Sequence, residues 1–252
     1  MDRETAVAPV RSAVRPSQIN RAWGVAATIL SVLYTAILIP FAMVASLIEG
    51  GHRCTWIFRT WAWLIVRTCG ITVEIEGLEH LDGLASFVLV SNHKSLFDII
   101  AVFDAVPREM RFVAKREIEK VPGIGFILER SQNIVIDRAG GGRTIRRALA
   151  VARYGYSICV FAEGHRFADD EVHEFNEGAA WLAIATRLPC VPMAIRGTMA
   201  LMPRGSMFVS PGRRIRLVLG RPIATDGLKS ADRNELTRRL EAEVRAAFRE
   251  YS

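Results

Sequence analysis

The chain places a histidine and a carboxylate five residues apart, in Ser91-Asn92-His93-Lys94-Ser95-Leu96-Phe97-Asp98. A neutral imidazole held by a carboxylate is a general base for a hydroxyl group. The plainer reading of the same residues is a helix start. Ser95-x-x-Asp98 fits a capping box, in which Asp98 only accepts backbone N–H bonds and His93 is a polar residue at a strand end. Spacing alone does not separate the two, because two residue types at one interval recur by accident.

The elements that must position the pair are legible on either side of it. Phe87-Val88-Leu89-Val90 is an apolar run of strand length, and Asp98-Ile99-Ile100-Ala101-Val102-Phe103 opens an apolar helix. The pair therefore sits on a strand-to-helix turn, where open α/β sheets place functional groups. Strand and helix patterns alternate after Ile71. Strands are expected at 72–76, 87–90, 111–114, 134–137, 158–162, 191–195 and 215–219, and helices at 96–105, 142–153, 178–186 and 231–250. Several strands are continuous apolar runs, as in a sheet covered on both faces. The expected fold class over residues 71–252 is α/β, with a mixed, mostly parallel sheet and helices on both faces. No G-x-S-x-G elbow is present, which argues against a serine hydrolase. Ala139-Gly140-Gly141-Gly142 lacks the Gly-Lys-Ser/Thr ending of a phosphate loop and reads as a turn.

Lys and Arg number 33 against 26 Asp and Glu, a net charge of +7. That balance suits an anionic partner such as a phospholipid surface or a phosphorylated substrate. No nucleic-acid motif or interleaving of basic and aromatic residues appears, so no nucleic-acid partner is expected. Cys54, Cys69, Cys159 and Cys190 are widely spaced and form no C-x-x-C pair, so neither a disulfide framework nor a zinc site follows. His165, Asp169, Asp170, Glu171 and His173 are rich in ligand types. Their spacing matches no metal-ligand frame, and they read as a polar loop with no metal assigned.

Ala22 to Ile48 carries no charge over 27 residues, against about 20 for a transmembrane helix. Trp56, Trp61 and Trp63 follow, among Arg53, Arg59 and Arg67, a composition suited to a membrane interface. Arg3, Arg11, Arg15 and Arg21 precede the apolar run, so both flanks are basic. A single span would put one basic flank outside, against the positive-inside tendency. The expectation is a membrane-embedded helical hairpin over residues 21–70, bent near Pro40, with both flanks cytoplasmic. Residues 1–20 read as a loose basic tail and 71–252 as the α/β domain. The chain is expected on the cytoplasmic face of a membrane of bacterial inner-membrane type.

Four blocks, in order, resemble the glycerolipid acyltransferases typified by 1-acyl-glycerol-3-phosphate acyltransferase. The first is Asn92-His93 through Asp98, similar to the family's N-H-x4-D. The second runs Phe112-Val113-Ala114-Lys115-Arg116-Glu117, then Pro122 and Gly125, to Asn133-Ile134-Val135-Ile136-Asp137-Arg138. The third, Phe161-Ala162-Glu163-Gly164-His165-Arg166, looks like F-P-E-G-T-R, and the fourth is Val191-Pro192-Met193-Ala194-Ile195-Arg196-Gly197. Order and spacing of four blocks, over about residues 70–225, are far more specific than any one. Ala162, His165 and Phe167 stand where the family usually has Pro, Thr and often Ser, and Asn176-Glu177 where it often has lysines. These departures leave the reaction class in place and bear on the acceptor head group.

The resemblance implies transfer of a fatty acyl group from acyl-CoA or acyl carrier protein to the free hydroxyl of a lysophospholipid, with no cofactor. Lysophosphatidate to phosphatidate is the expected reaction. The alternatives are another lysolipid such as an ornithine-type lipid, a non-catalytic lipid-binding membrane protein, and a membrane-bound hydrolase. His93 would be the base and Asp98 its orienting acid. The resemblance also implies that Arg138 and Arg166 clamp the acceptor phosphate with Lys115 as a third contact. Glu163 and Gly164 would shape the loop, Glu163 bonding a glycerol hydroxyl.

Overall fold

The computed structural model of the protein describes residues 18–47, 55–121, 123–136 and 141–250. Seven strands form one sheet: β1 (Thr72–Glu76), β2 (Val88–Ser91), β3 (Met110–Lys115), β4 (Ile134–Ile136), β5 (Ser157–Phe161), β6 (Cys190–Arg196) and β7 (Arg214–Leu219). Their order is β1-β7-β6-β2-β5-β3-β4. Every pairing is parallel except β6 with β7. The expected mostly parallel α/β sheet is what the chain forms.

The apolar strand runs arise because both faces are buried. In the segment leading through β2, Phe87 and Leu89 enter one core and Val88 and Val90 the other. The first core is closed by α2 (Thr55–Thr68), α3 (Phe97–Ala105) and the inner side of α1 (Gln18–Leu47). The second is closed by α5 (Gly142–Arg153), α6 (Gly178–Thr186) and α8 (Arg233–Glu250). The remaining helices, α4 (Ile124–Arg130) and α7 (Thr198–Leu201), are short. Neither is expected from the sequence, because an apolar run of their length carries no period that separates helix from strand.

The N-terminal region departs from expectation at Pro40. Helix α1 continues through Pro40 to Leu47, so the hairpin does not turn at Pro40, and the returning helix is α2. The connection lies in residues 48–54, outside the described residues, as do residues 1–17. A proline in a long helix removes one N–H bond, and with the other turns intact the helix runs on. Ala27, Ala62, Ile65, Val66 and Cys69 belong to the same core as the sheet. At about 1.5–3 kcal/mol for each large aliphatic side chain buried, that packing ties α2 to the sheet.

Helix α1 lies along the domain for most of its length. Near its start, Thr28 Oγ1 accepts the Val209 N–H at 3.1 Å. Mid-helix, Thr35 Oγ1 accepts from Trp61 Nε1 at 2.9 Å. Near its end, Ile39 and Met43 pack at Gly123. The opposite side bears Ile29, Val32, Ile37, Phe41 and Val44, each more than half exposed. Among the described residues this is the one helix long and apolar enough to cross a membrane.

Cys69, Cys159 and Cys190 are free and buried. Burial pushes the Cys159 thiol well up, and the nearby Asp98 charge adds to it. Burial alone pushes Cys190 up to about 12. At pH 8 only on the order of 10⁻⁴ of such a thiol is the reactive thiolate. In a Cys54→Ser background, a soluble maleimide should leave all three cysteines unmodified in folded protein and label them after denaturation. Rapid labelling of Cys159 in folded protein would contradict the closed centre of the sheet.

Candidate active site

The site is built on the turn between β2 and α3. Asp98, in the first turn of α3, is fully buried. Its Oδ2 accepts from His93 Nδ1 at 2.7 Å and from the backbone N–H groups of Lys94 at 2.7 Å and Ser95 at 2.8 Å. One oxygen therefore ties the backbone of the turn and the histidine ring together. A carboxylate only accepts, so Nδ1 carries the hydrogen and Nε2 keeps its lone pair. The His93 ring stacks on Phe161 at 4.1 Å between centroids and 13° between planes. Its side chain is 14% exposed, so one edge of the imidazole reaches solvent.

Parallel pairing delivers the other side of the site. Ser91, the last residue of β2, stands opposite Phe161, the last of β5. The loops that follow both strands leave the same edge of the sheet. Asn92 extends the pairing with its side chain, accepting from Ile195 N and donating to Ile195 O, both at 2.8 Å. A primary amide offers the same donor and acceptor as a peptide group, which suits this fully buried position.

After β5, Glu163 turns inward. Its Oε1 accepts the His93 backbone N–H at 3.0 Å and its Oε2 pairs with Lys94 Nζ at 3.1 Å. The Glu163 side chain is closed off from solvent. Both of its oxygens are engaged within the protein, and they order the turn. Gly164 follows at φ +73°, and a Cβ there would stand 2.8 Å from Asn176 Nδ2. Both the backbone and the space call for glycine.

Lys94 has no assigned role in the sequence reading, yet it is 1% exposed. Besides Glu163, its ammonium donates to the Glu171 carbonyl oxygen and lies 5.7 Å from the Phe167 ring centroid. The available signal was a lysine enclosed between an apolar strand and an apolar helix, with an acid in a separate block.

Of the expected phosphate contacts, Lys115 ends β3 and is exposed. The register that pairs Phe112 with Cys159 brings it to the same sheet edge as Phe161. Arg166 is half-buried and has no hydrogen bond or ion pair among the described residues. Arg138 lies outside the described residues. The loop beyond Arg166 is stacked on itself: Phe167 lies 4.2 Å from the His165 ring and 3.5 Å from that of His173. His173 Nε2 contacts Asp169 Oδ1 at 2.8 Å, a bond that holds the Asp169 carboxyl below the usual range.

A sequence model of the acyltransferase family matches residues 72–196, from β1 to the end of β6. The 1-acyl-sn-glycerol-3-phosphate acyltransferase alpha of Mus musculus is 30% identical over 188 residues, 73% of this chain and 66% of that protein. A 1-acyl-sn-glycerol-3-phosphate acyltransferase of Limnanthes alba is 32% identical over 152 residues, 59% of this chain and 53% of that one. The chain thus spans less than two-thirds of the length of these relatives. In fold it resembles the crystal structure of the 1-acyl-sn-glycerophosphate acyltransferase PlsC from Thermotoga maritima. The TM-score is 0.77 at 24% identity, over 92% of this chain and 97% of that one. The histidine, carboxylate and glutamate blocks all lie inside the region, residues 72–196, that matches the acyltransferase family.

Proposed function

We propose that the protein transfers a fatty acyl group from the thioester of acyl-CoA or acyl carrier protein to the free hydroxyl of a lysophospholipid, converting lysophosphatidate to phosphatidate. The observation that carries the reading is the His93–Asp98 bond, which leaves Nε2 at the solvent edge of a buried site. Nε2 takes the acceptor's hydroxyl proton as its oxygen attacks the thioester carbonyl. A C–O bond forms, the tetrahedral oxyanion collapses and the C–S bond breaks. The leaving thiolate takes the proton back from the imidazolium, which Asp98 stabilises meanwhile. The base is the protein's own imidazole, so the step uses no cofactor.

The acceptor is suggested by the names of the relatives and by cations at the rim. Arg166 is a half-buried guanidinium without a protein partner among the described residues, suited to a phosphate. Lys115 and Arg138 complete the clamp in this reading.

The same proposal places the chain on a lipid surface at the cytoplasmic face. Because α1 touches the domain near both ends, the helix lies along the protein, with its apolar side exposed on the face turned from the domain. That side, with Trp56 and Trp63 of α2, both at least half exposed, would bed into one leaflet.

His93→Ala should lower the transfer rate about 10²–10⁴-fold, measured with purified protein in detergent. Retention of more than about a tenth of the rate, under ~1.4 kcal/mol of barrier, would remove the base assignment. Arg166→Ala should raise the acceptor KM about 10–100-fold, the equivalent of one charge-assisted phosphate contact at ~1.5–3 kcal/mol, with the donor KM unchanged. A donor effect alone would assign the arginine to the other substrate. Ile37→Asp with Phe41→Asp should shift the protein off vesicles and slow turnover of vesicle-embedded acceptor, while leaving activity on detergent-dispersed acceptor intact. Unchanged vesicle binding would contradict the lipid-facing side of α1.

A further inference from the structure

The segment between β5 and α6 carries Arg166 and has no regular structure from Ala162 to Glu177. A loop of that length is ordinarily mobile unless something ties it down. Its far end is held by Val172 and Phe175, both buried in the second core. At its near end, Asn176 bonds the Ala162 carbonyl. The part between, which carries Arg166, is gathered onto Lys94. The ammonium reaches Glu163 Oε2 at 3.1 Å, the Glu171 carbonyl oxygen, the Asp169 carboxylate at 3.9 Å and the face of Phe167. Arg196 adds a looser contact to Asp170 at 3.9 Å.

Stability does not account for a lysine in this place. Desolvating the pair opposes folding, and apolar residues of similar volume often replace buried ion pairs without loss. What the pair adds is geometry. Glu163 holds the His93 N–H with one oxygen and Lys94 with the other. Lys94 in turn holds the 167–171 stretch. The turn that carries the base and the loop that carries the phosphate contact are thus fastened to each other through one charge pair.

We propose that Lys94 is a positioning residue that locks the Arg166 loop onto the His93 turn through Glu163. The inference rests on the acyl-transfer reading for its kinetic consequence, but the fastening itself is measurable without turnover. Without the cation, Glu163 is a buried carboxylate lacking its main partner. It leaves the His93 N–H in search of water, and the base loses its setting. Neutralising both members removes that conflict, since glutamine at 163 still offers an oxygen to the His93 N–H.

The test compares wild type with Lys94→Met, Glu163→Gln and the double variant in detergent. Two measurements are made: steady-state kinetics, and amide hydrogen exchange over residues 92–98 and 165–173. Lys94→Met keeps the side-chain volume and removes the charge. It should lower kcat at least tenfold and raise the acceptor KM, with the donor KM within about threefold, and speed exchange in both segments while the sheet strands keep wild-type protection. The double variant should recover at least a tenfold share of that kcat and slow the exchange again. A Lys94→Met enzyme within threefold of wild-type kcat, with unchanged exchange, would overturn the proposal. So would a double variant no better than Lys94→Met, because a residue that merely fills space is not rescued by neutralising its partner. If Lys94→Met loses protection throughout the sheet, the double variant decides: a folded, protected double variant upholds the pair, and an unfolded one overturns it. Wild-type protein that transfers no acyl group, yet shows the exchange pattern, would sink the acyltransferase reading and leave the fastening in place.

Discussion

One carboxylate oxygen organises the site. Asp98 Oδ2 accepts three bonds at once, from the His93 ring and from the backbone of Lys94 and Ser95. The two backbone bonds fold residues 93–98 back on themselves, and that fold is what brings a ring five residues away onto the same oxygen. Charge-assisted bonds of this kind are short and about twice as strong as neutral ones. Because the acid is buried at the root of α3, its position is fixed by the first core, where Phe97, Ile100 and Ala101 pack against the sheet. The base is accordingly as rigid as the domain.

The sheet supplies the second constraint. Parallel pairing of β2 with β5 puts Ser91 level with Phe161, so two loops far apart in sequence emerge side by side. Phe161 backs the imidazole, and Glu163, two residues on, reaches across to the His93 N–H. The glutamate block and the histidine block thus form one structure. The buried glutamate orders the turn from beneath.

Much of this was legible in the sequence. Continuous apolar runs mark strands covered on both faces, and the expected β1, α5 and α6 coincide with the observed Thr72–Glu76, Gly142–Arg153 and Gly178–Thr186. His93 and Asp98 were visible because a polar turn between two apolar elements has few reasons to exist. Lys94 was not visible, because a lysine read alone is a surface residue and its partner lies 69 positions away. The hairpin turn expected near Pro40 is also not found there, because α1 runs on to Leu47. A proline reports a missing N–H but not whether the surrounding helix tolerates it, and here α1 is supported on both sides of it by Trp61 and by the packing at Gly123. That α2 joins the main core was hidden by its tryptophans, whose exposed members suggest an interface while Ile57, Ile65 and Val66 face inward.

The claim that Asp98 sets His93 as an Nδ1–H imidazole with Nε2 free is tested most directly by nitrogen-15 NMR of labelled histidine in detergent. The His93 signals would be assigned by their loss in a His93 variant. In the neutral form of the ring, the account predicts a protonated Nδ1 and a bare Nε2, with the Nδ1 hydrogen shifted downfield by its bond to the carboxylate. Replacing Asp98 by Asn should release or reverse that preference. A His93 ring protonated on Nε2 in the wild type, or one exchanging freely between tautomers, would contradict the account.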